Sequence, residues 1–151
     1  MPDPLIEYVK IGDRFTVSKT LTETDLAMFC SISGDFDPIH VDDEYAKSTI
    51  FGRRIAHGLL SIALLSTVAA KMSARAKDRG FRGSSVSMGF DKLRFVKPVF
   101  IGDTLTGVYL VDKVDTELGR SLSSVSIVNQ SQETCAAGTH VMRWLQEDGA
   151  K

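Results

Sequence analysis

The stretch GLLSIALLSTVAAKMSARAK, residues 58–77, carries no charged side chain until Lys71. From Gly58 through Ala70 its only polar side chains are the hydroxyls of Ser61, Ser66 and Thr67. A surface helix keeps one apolar stripe and one polar face, whereas a helix apolar all round is one that other elements surround. Residues 58–77 therefore predict a long central core helix. A membrane span needs about 20 consecutive apolar residues, and a run of about 10–14 reads instead as a buried helix. Lys71, Arg75, Lys77 and Arg79 then suit the negative end of a helix dipole, and Gly80 supplies a stop.

C-terminal to this helix the periodicity changes. SSVSMGFDKLRFVKPVF, DTLTGVYLVDKV, RSLSSVSIVNQ and CAAGTHVMRWL are rich in Val, Phe, Tyr, Thr and Ile, and IGD, DTELG and QSQET separate them as turns. The connections are too short for crossover helices, so an antiparallel meander is the expected pairing. On the N-terminal side RFTVSKTL reads as a further strand. TETDLAMFCSIS reads as a helix over residues 23–32, because Thr22 and Asp25 form a capping-box pattern and Leu26, Phe29 and Cys30 share a face. DDEYAKS opens with three acids, which favour a short helix start. With no repeat and no linker, residues 1–151 are expected to form one α+β domain in which an antiparallel sheet wraps the central helix.

Bulk composition narrows the partners. The formal charge is −1, with 25% charged and 43% hydrophobic residues, and the basic residues are dispersed, which disfavours nucleic acid and anionic membranes. Cys30 and Cys135 lack metal-ligand spacing and read as reduced thiols. MPDPLIEYVK has no basic region followed by an apolar one, so no secretory signal is expected and the compartment is taken as cytoplasmic.

The densest chemistry lies in GDFDPIH, residues 34–40. Taken singly, Asp35 is an ordinary turn or cap residue and His40 an ordinary structural histidine. Jointly they suit acid–base work on a water: a loop carboxylate as general base, with an imidazole that changes charge near neutral pH as its partner. Pro38 between them stiffens the loop. Downstream, Gly58 opens the apolar helix, so its amide is among the unpaired donors of a helix start and can face a developing oxyanion.

SGDFDPIHVDDEYA, FGRRIAHGLLS and LRFVKPVFIGDTL resemble, in order, three signature segments of the MaoC-like (R)-specific enoyl-CoA hydratases of the hot dog fold. The resemblance spans roughly residues 5–145. It implies reversible hydration of a trans-2-enoyl thioester to the (R)-3-hydroxyacyl thioester, with Asp35 and His40 as catalytic pair and the Gly58 amide as oxyanion donor. It implies no cofactor beyond the coenzyme A or phosphopantetheine of the substrate, no metal, and a homodimer. Asp37 stands where Asn is commonest in the family, a supporting position behind the pair. His57, Ser66 and Arg53 are candidate substrate contacts: His57 could instead cap the helix, Ser66 could reach Asp35 or back-bond to the previous turn, and Arg53 with Arg54 could bind phosphate or form a solvated pair. His140 lies in a strand pattern and is expected to be structural or exposed. The competing readings are a 3-hydroxyacyl dehydratase on acyl carrier protein, a thioesterase, a non-catalytic acyl-binding subunit, and a metal site of Asp35, His40, Asp42 and His57.

Overall fold

The computed structural model describes residues 4–147. The secretory-signal reading rests in part on residues 1–3, which lie outside them. In chain order the elements are strand β1 (Arg14–Thr20), helices α1 (Glu23–Ser33), α2 (Pro38–Val41), α3 (Asp43–Lys47), α4 (Gly58–Ser61) and α5 (Leu64–Asp78), and strands β2 (Gly83–Phe95), β3 (Thr104–Asp115), β4 (Arg120–Val128) and β5 (Thr134–Gln146). The five strands form one antiparallel sheet in the order β1-β3-β4-β5-β2.

That order corrects the expected meander. β3, β4 and β5 do run as successive hairpins, but β2 pairs with β5 and not with its sequence neighbour β3. Residues 96–103 carry the chain from one end of the sheet across to β3, and they are pinned on the way: Val96 N–H donates to Cys135 O at 2.8 Å, and Ala56 N–H donates to Val99 O at 2.7 Å. The second bond fastens the segment just before α4. Register shifts at Ser87/Gly89 and Asp91/Arg94 on β2, and at Val111/Lys113 on β3, mark bulges that bend and twist the strands.

The sheet buries one face of α5. Leu65, Val68, Met72 and Ala76 meet Leu105, Tyr109, Val111, Val125, Ile127, Ala136, Met142 and Trp144 in one core. Each large side chain withdrawn from water here is worth about 1.5–3 kcal/mol. Gly107 lets the helix approach β3: a Cβ there would lie 3.0 Å from Val68 Cγ2. At the far end Arg79 pairs with Asp13 and also donates to Tyr8 O at 3.0 Å, which ties the helix C-terminus to the start of β1. The guanidinium holds the Asp13 carboxyl below the usual carboxylate range.

Two features of the central helix differ from expectation. The span Gly58–Asp78 is 21 residues long with mean hydropathy 1.3, long and apolar enough to cross a membrane, yet its buried residues press on the sheet as those of a core helix do. The sheet surrounds only one side of it. Leu59 is 62% exposed, and Ala63, Ser66, Thr67 and Ala70 also face outward, because a single sheet covers a single face. The helix is also broken at Ile62 and Ala63, where three-residue turns replace the α pattern. Ser61 Oγ donates to Gly58 O at 2.6 Å, and such bonds bend helices.

Candidate active site

The capping box of α1 forms as its residues dictate, with Asp25 N–H donating to Thr22 Oγ1 and Thr22 N–H to Asp25 Oδ2. The helix ends at Gly34, whose φ of 74° suits glycine and whose N–H donates to Cys30 O at 2.8 Å. This left-handed residue turns the chain so that Asp35 leaves the helix end. Asp35 N–H donates to Ser33 Oγ at 3.1 Å, and Asp35 Oδ1 accepts from Asp37 N–H at 3.1 Å. The Asx turn read from the sequence is therefore present. It occupies one carboxylate oxygen and leaves Oδ2 directed toward His57, 3.8 Å from its Nε2. The Asp35 side chain is 49% exposed, so water and substrate can reach it.

Asp37 caps α2: its Oδ1 accepts from Ile39 N–H at 3.0 Å, and Pro38 occupies the first helical position. An asparagine oxygen can accept the same bond, so the departure from the family's commonest residue leaves the cap intact. α2 in turn carries His40. Its Nδ1 lies 2.7 Å from Ile55 O, and a carbonyl only accepts, so Nδ1 bears the hydrogen and Nε2 the lone pair. Asp42, weighed above as a metal ligand, instead caps α3 by accepting from Tyr45 N–H at 3.0 Å.

Three side chains converge. One ligand-capable atom each of Asp35, His40 and His57 lies within 4.8 Å of the others. His57 is buried, stacks on His40 with ring centroids 3.8 Å apart, and has Nε2 3.1 Å from Asp35 O. Here too the partner is a carbonyl, so Nε2 carries the hydrogen. With its Nε2 hydrogen given to the backbone, His57 could offer a metal only the lone pair of Nδ1.

Gly58 follows His57 and starts α4, as expected of it. Among the described residues the His57 side chain makes no cap bond to that helix, so the first amides stay open at the end where the dipole is positive. Gly58 borders a cavity of about 360 Å³ that Phe51, Ile55, Phe95, Val96 and Val99 also line. A larger groove, about 630 Å³, runs along α5 from Ile62 to Lys77 against β2. Of the two, the smaller contains the helix start, and neither is lined by Asp35, His40 or His57.

The remaining candidates lie elsewhere. Ser66 lines the larger groove beside Ala70 and Ser73, two turns along from Gly58, and is not brought to Asp35. Arg53 lies over the Phe100 ring, 3.8 Å from its centroid, beside a separate cavity that Asp103 and Glu133 also line. Lys97 lines it as well and pairs with Glu133. His140 is buried, bonded through Nδ1 to Tyr109 Oη at 2.8 Å and through Nε2 to Ser87 Oγ at 2.7 Å, and burial pushes its pKa down. Burial likewise pushes the Tyr109 phenol up to about 12. Cys30 and Cys135 are free and buried.

Arg54 is the residue whose role sequence reasoning missed. It pairs with Glu23 of α1 and with Asp43 of α3 at 2.7 Å, and reaches His40 O at 3.4 Å. These partners raise its already high pKa further. One planar fork thus clamps the three helices that carry the motif. No local pattern announces it, since Glu23 is 31 residues away in sequence.

Comparison with known proteins gives a consistent result. A family model described as the MaoC-like domain matches residues 9–134. An (R)-specific enoyl-CoA hydratase from Rhodospirillum rubrum is 37% identical over 105 residues, which cover 70% of this chain and 67% of that protein. The solved (R)-hydratase of Aeromonas caviae, involved in PHA biosynthesis, superimposes with a TM-score of 0.78 at 27% identity, covering 89% of this chain and 96% of that one. An unliganded R-hydratase from Pseudomonas aeruginosa gives 0.77 at 29% identity, covering 98% and 92%.

Proposed function

Since the chain belongs to the MaoC-like domain family, we propose that it is a hydro-lyase that adds water reversibly across the double bond of a trans-2-enoyl-CoA, giving the (R)-3-hydroxyacyl-CoA. Its architecture is the hot dog fold. The observation that carries the reading is the convergence of Asp35 and His40 on His57, the residue that immediately precedes the open first amide of α4 at Gly58.

The geometry supports the following course for the reaction. The thioester carbonyl sits at the Gly58 end of the helix, with its acyl arm in the 360 Å³ cavity. Asp35 Oδ2 and the His40 Nε2 lone pair hold one water against C3. As the water oxygen bonds to C3, the C2–C3 π electrons move onto the thioester oxygen, where the helix amides stabilise the enolate. The water gives up a proton to the pair, and His40 returns one to C2 as the carbonyl re-forms. Run backward, the same steps dehydrate the hydroxyacyl thioester. No group other than the thioester carrier is needed, and reduced buried thiols fit a cytoplasmic enzyme. A second copy completes the molecule by pairing along β2, an edge strand that exposes Val86 and Met88.

Asp35→Asn and His40→Ala test the mechanism. Each is expected to lower crotonyl-CoA hydration, followed by loss of enoyl absorbance, by about 10²–10⁴-fold while the melting temperature holds. Retained activity in both folded variants rejects it. Parallel assays with carrier-protein thioesters establish which carrier is preferred, and light scattering gives the assembly state.

A further inference from the structure

We propose that His57 is a positioning residue for the reaction above, a plate that fixes Asp35 and His40 relative to each other without contacting substrate. The inference rests on the hydratase reading. Asp35 lies in the loop after α1 and His40 in α2, and among the described residues no hydrogen bond joins their side chains. Something else must set their separation.

His57 touches both. Its Nε2–H donates to the backbone carbonyl of Asp35 at 3.1 Å, which holds the loop, and its face lies 3.8 Å from the His40 ring at an interplanar angle of 29°, which holds that ring's plane. From behind, Phe29 of α1 packs on it with centroids 4.7 Å apart, and Cys30 Sγ lies 3.8 Å from Nε2. The side chain is only 4% exposed, which leaves it almost no surface to offer an acyl thioester.

A further sign is its other nitrogen. Nδ1 is buried and has no hydrogen-bond partner among the described residues. An unsatisfied buried polar atom is costly, and an apolar ring would fill this space without that cost. Packing alone therefore does not account for a histidine here, whereas a group needing both a flat face and a donor at Nε2 does. The backbone before it is pinned by Ala56 N–H to Val99 O, so the plate is anchored to the 96–103 connection and not to the loop it holds.

Two variants separate its two contacts. His57→Phe keeps a ring face for His40 and loses the donor to Asp35; His57→Gln keeps a donor of the same reach and loses the face. A displacement of about 1 Å in a catalytic group costs about 10²-fold. Each variant is therefore expected to lower kcat for crotonyl-CoA about 10- to 100-fold while KM stays within about twofold, the mark of an interaction felt in the transition state and not in substrate binding. Phe29→Leu, which loosens the plate from behind and leaves the pair untouched, should lower kcat a few-fold at unchanged KM, and it tests the role even where a His57 variant fails to fold. Parental kcat in the folded variants overturns the proposal, as does a raised KM at parental kcat, which would make His57 a substrate contact. Asp35→Asn run alongside keeps the two ideas apart. Full activity there defeats the hydratase reading itself, whereas an inactive Asp35→Asn with parental His57 and Phe29 variants defeats only the positioning role.

Discussion

Gly58→Ala is the sharpest single test of the helix-start amides. A Cβ built on Gly58 lies 3.0 Å from three carbons of the Phe95 ring. Carbon atoms pack best at about 3.5–4.0 Å, so the ring or the start of α4 must give by about 0.5–1 Å. Phe95 is 50% exposed and takes part of the shift while the start of α4 takes the rest, which keeps the stability cost at the low end of the roughly 1–3 kcal/mol typical of overpacking. Alanine's better helix propensity, worth up to about 1 kcal/mol over glycine, offsets part of that. The fold should therefore survive. Activity should not, because the same shift at an oxyanion donor costs about 10²-fold, or about 2.7 kcal/mol of transition-state stabilisation. Steady-state hydration of crotonyl-CoA alongside thermal melting measures both. Adding Phe95→Ala removes the ring and should restore at least half of the lost free energy. Gly58→Ala with parental kcat, or a double variant no better than the single, refutes the placement of the thioester oxygen at this amide.

Gly138 sits under β2, where a Cβ would meet Leu93 Cα at 2.9 Å and Asp91 O at 3.2 Å; both are backbone and cannot swing away, so Gly138→Ala should cost about 1–3 kcal/mol in urea unfolding. Arg54→Ala should lower kcat several-fold while removing no more than about 1 kcal/mol of stability per exposed pair, and Arg54→Lys should not restore the rate, since one ammonium cannot bridge Glu23, Asp43 and His40 O together. His140 governs part of the acid sensitivity. Its folded pKa is depressed by burial, so below the unfolded value of about 6.5 the unfolded chain takes up a proton that the folded chain refuses. Its contribution to stability is complete above that pH and falls as pH drops toward the folded pKa. Unfolding free energies from pH 7.5 to 5 should decline less steeply in His140→Gln, and equal slopes refute the assignment.

How far the site was legible depends on how local its causes are. Thr22 and Asp25 announced the start of α1, because a capping box closes within four residues. Gly34, Asp35 and Pro38 announced a turn, and that turn exists. Gly58 was read as a helix start from the run that follows it, and it is one. Asp37 was assigned a supporting place, and its actual work is to cap α2. Sequence proximity suggests pairing β2 with β3, but the β2 edge that is satisfied is the one facing β5. The helix was expected to be enclosed because its composition is apolar on every side. Composition reports what a face can tolerate, not whether anything covers it.

The sequence by itself determined most of the elements, the cap of α1 and the presence of an acid and an imidazole five residues apart, since those follow from side-chain periodicity and from hydrogen bonds closed within a turn or two. Only the tertiary structure decided which of three histidines does what. His40 and His57 stack because Ile55 N–H donates to Ile39 O at 3.3 Å and Ile55 O accepts from His40 Nδ1 at 2.7 Å, which brings α2 and the start of α4 together, whereas His140, in an equally ordinary strand, is sealed between Tyr109 and Ser87. A histidine's role is set by the partners of its two nitrogens, and those partners come from segments remote in the chain.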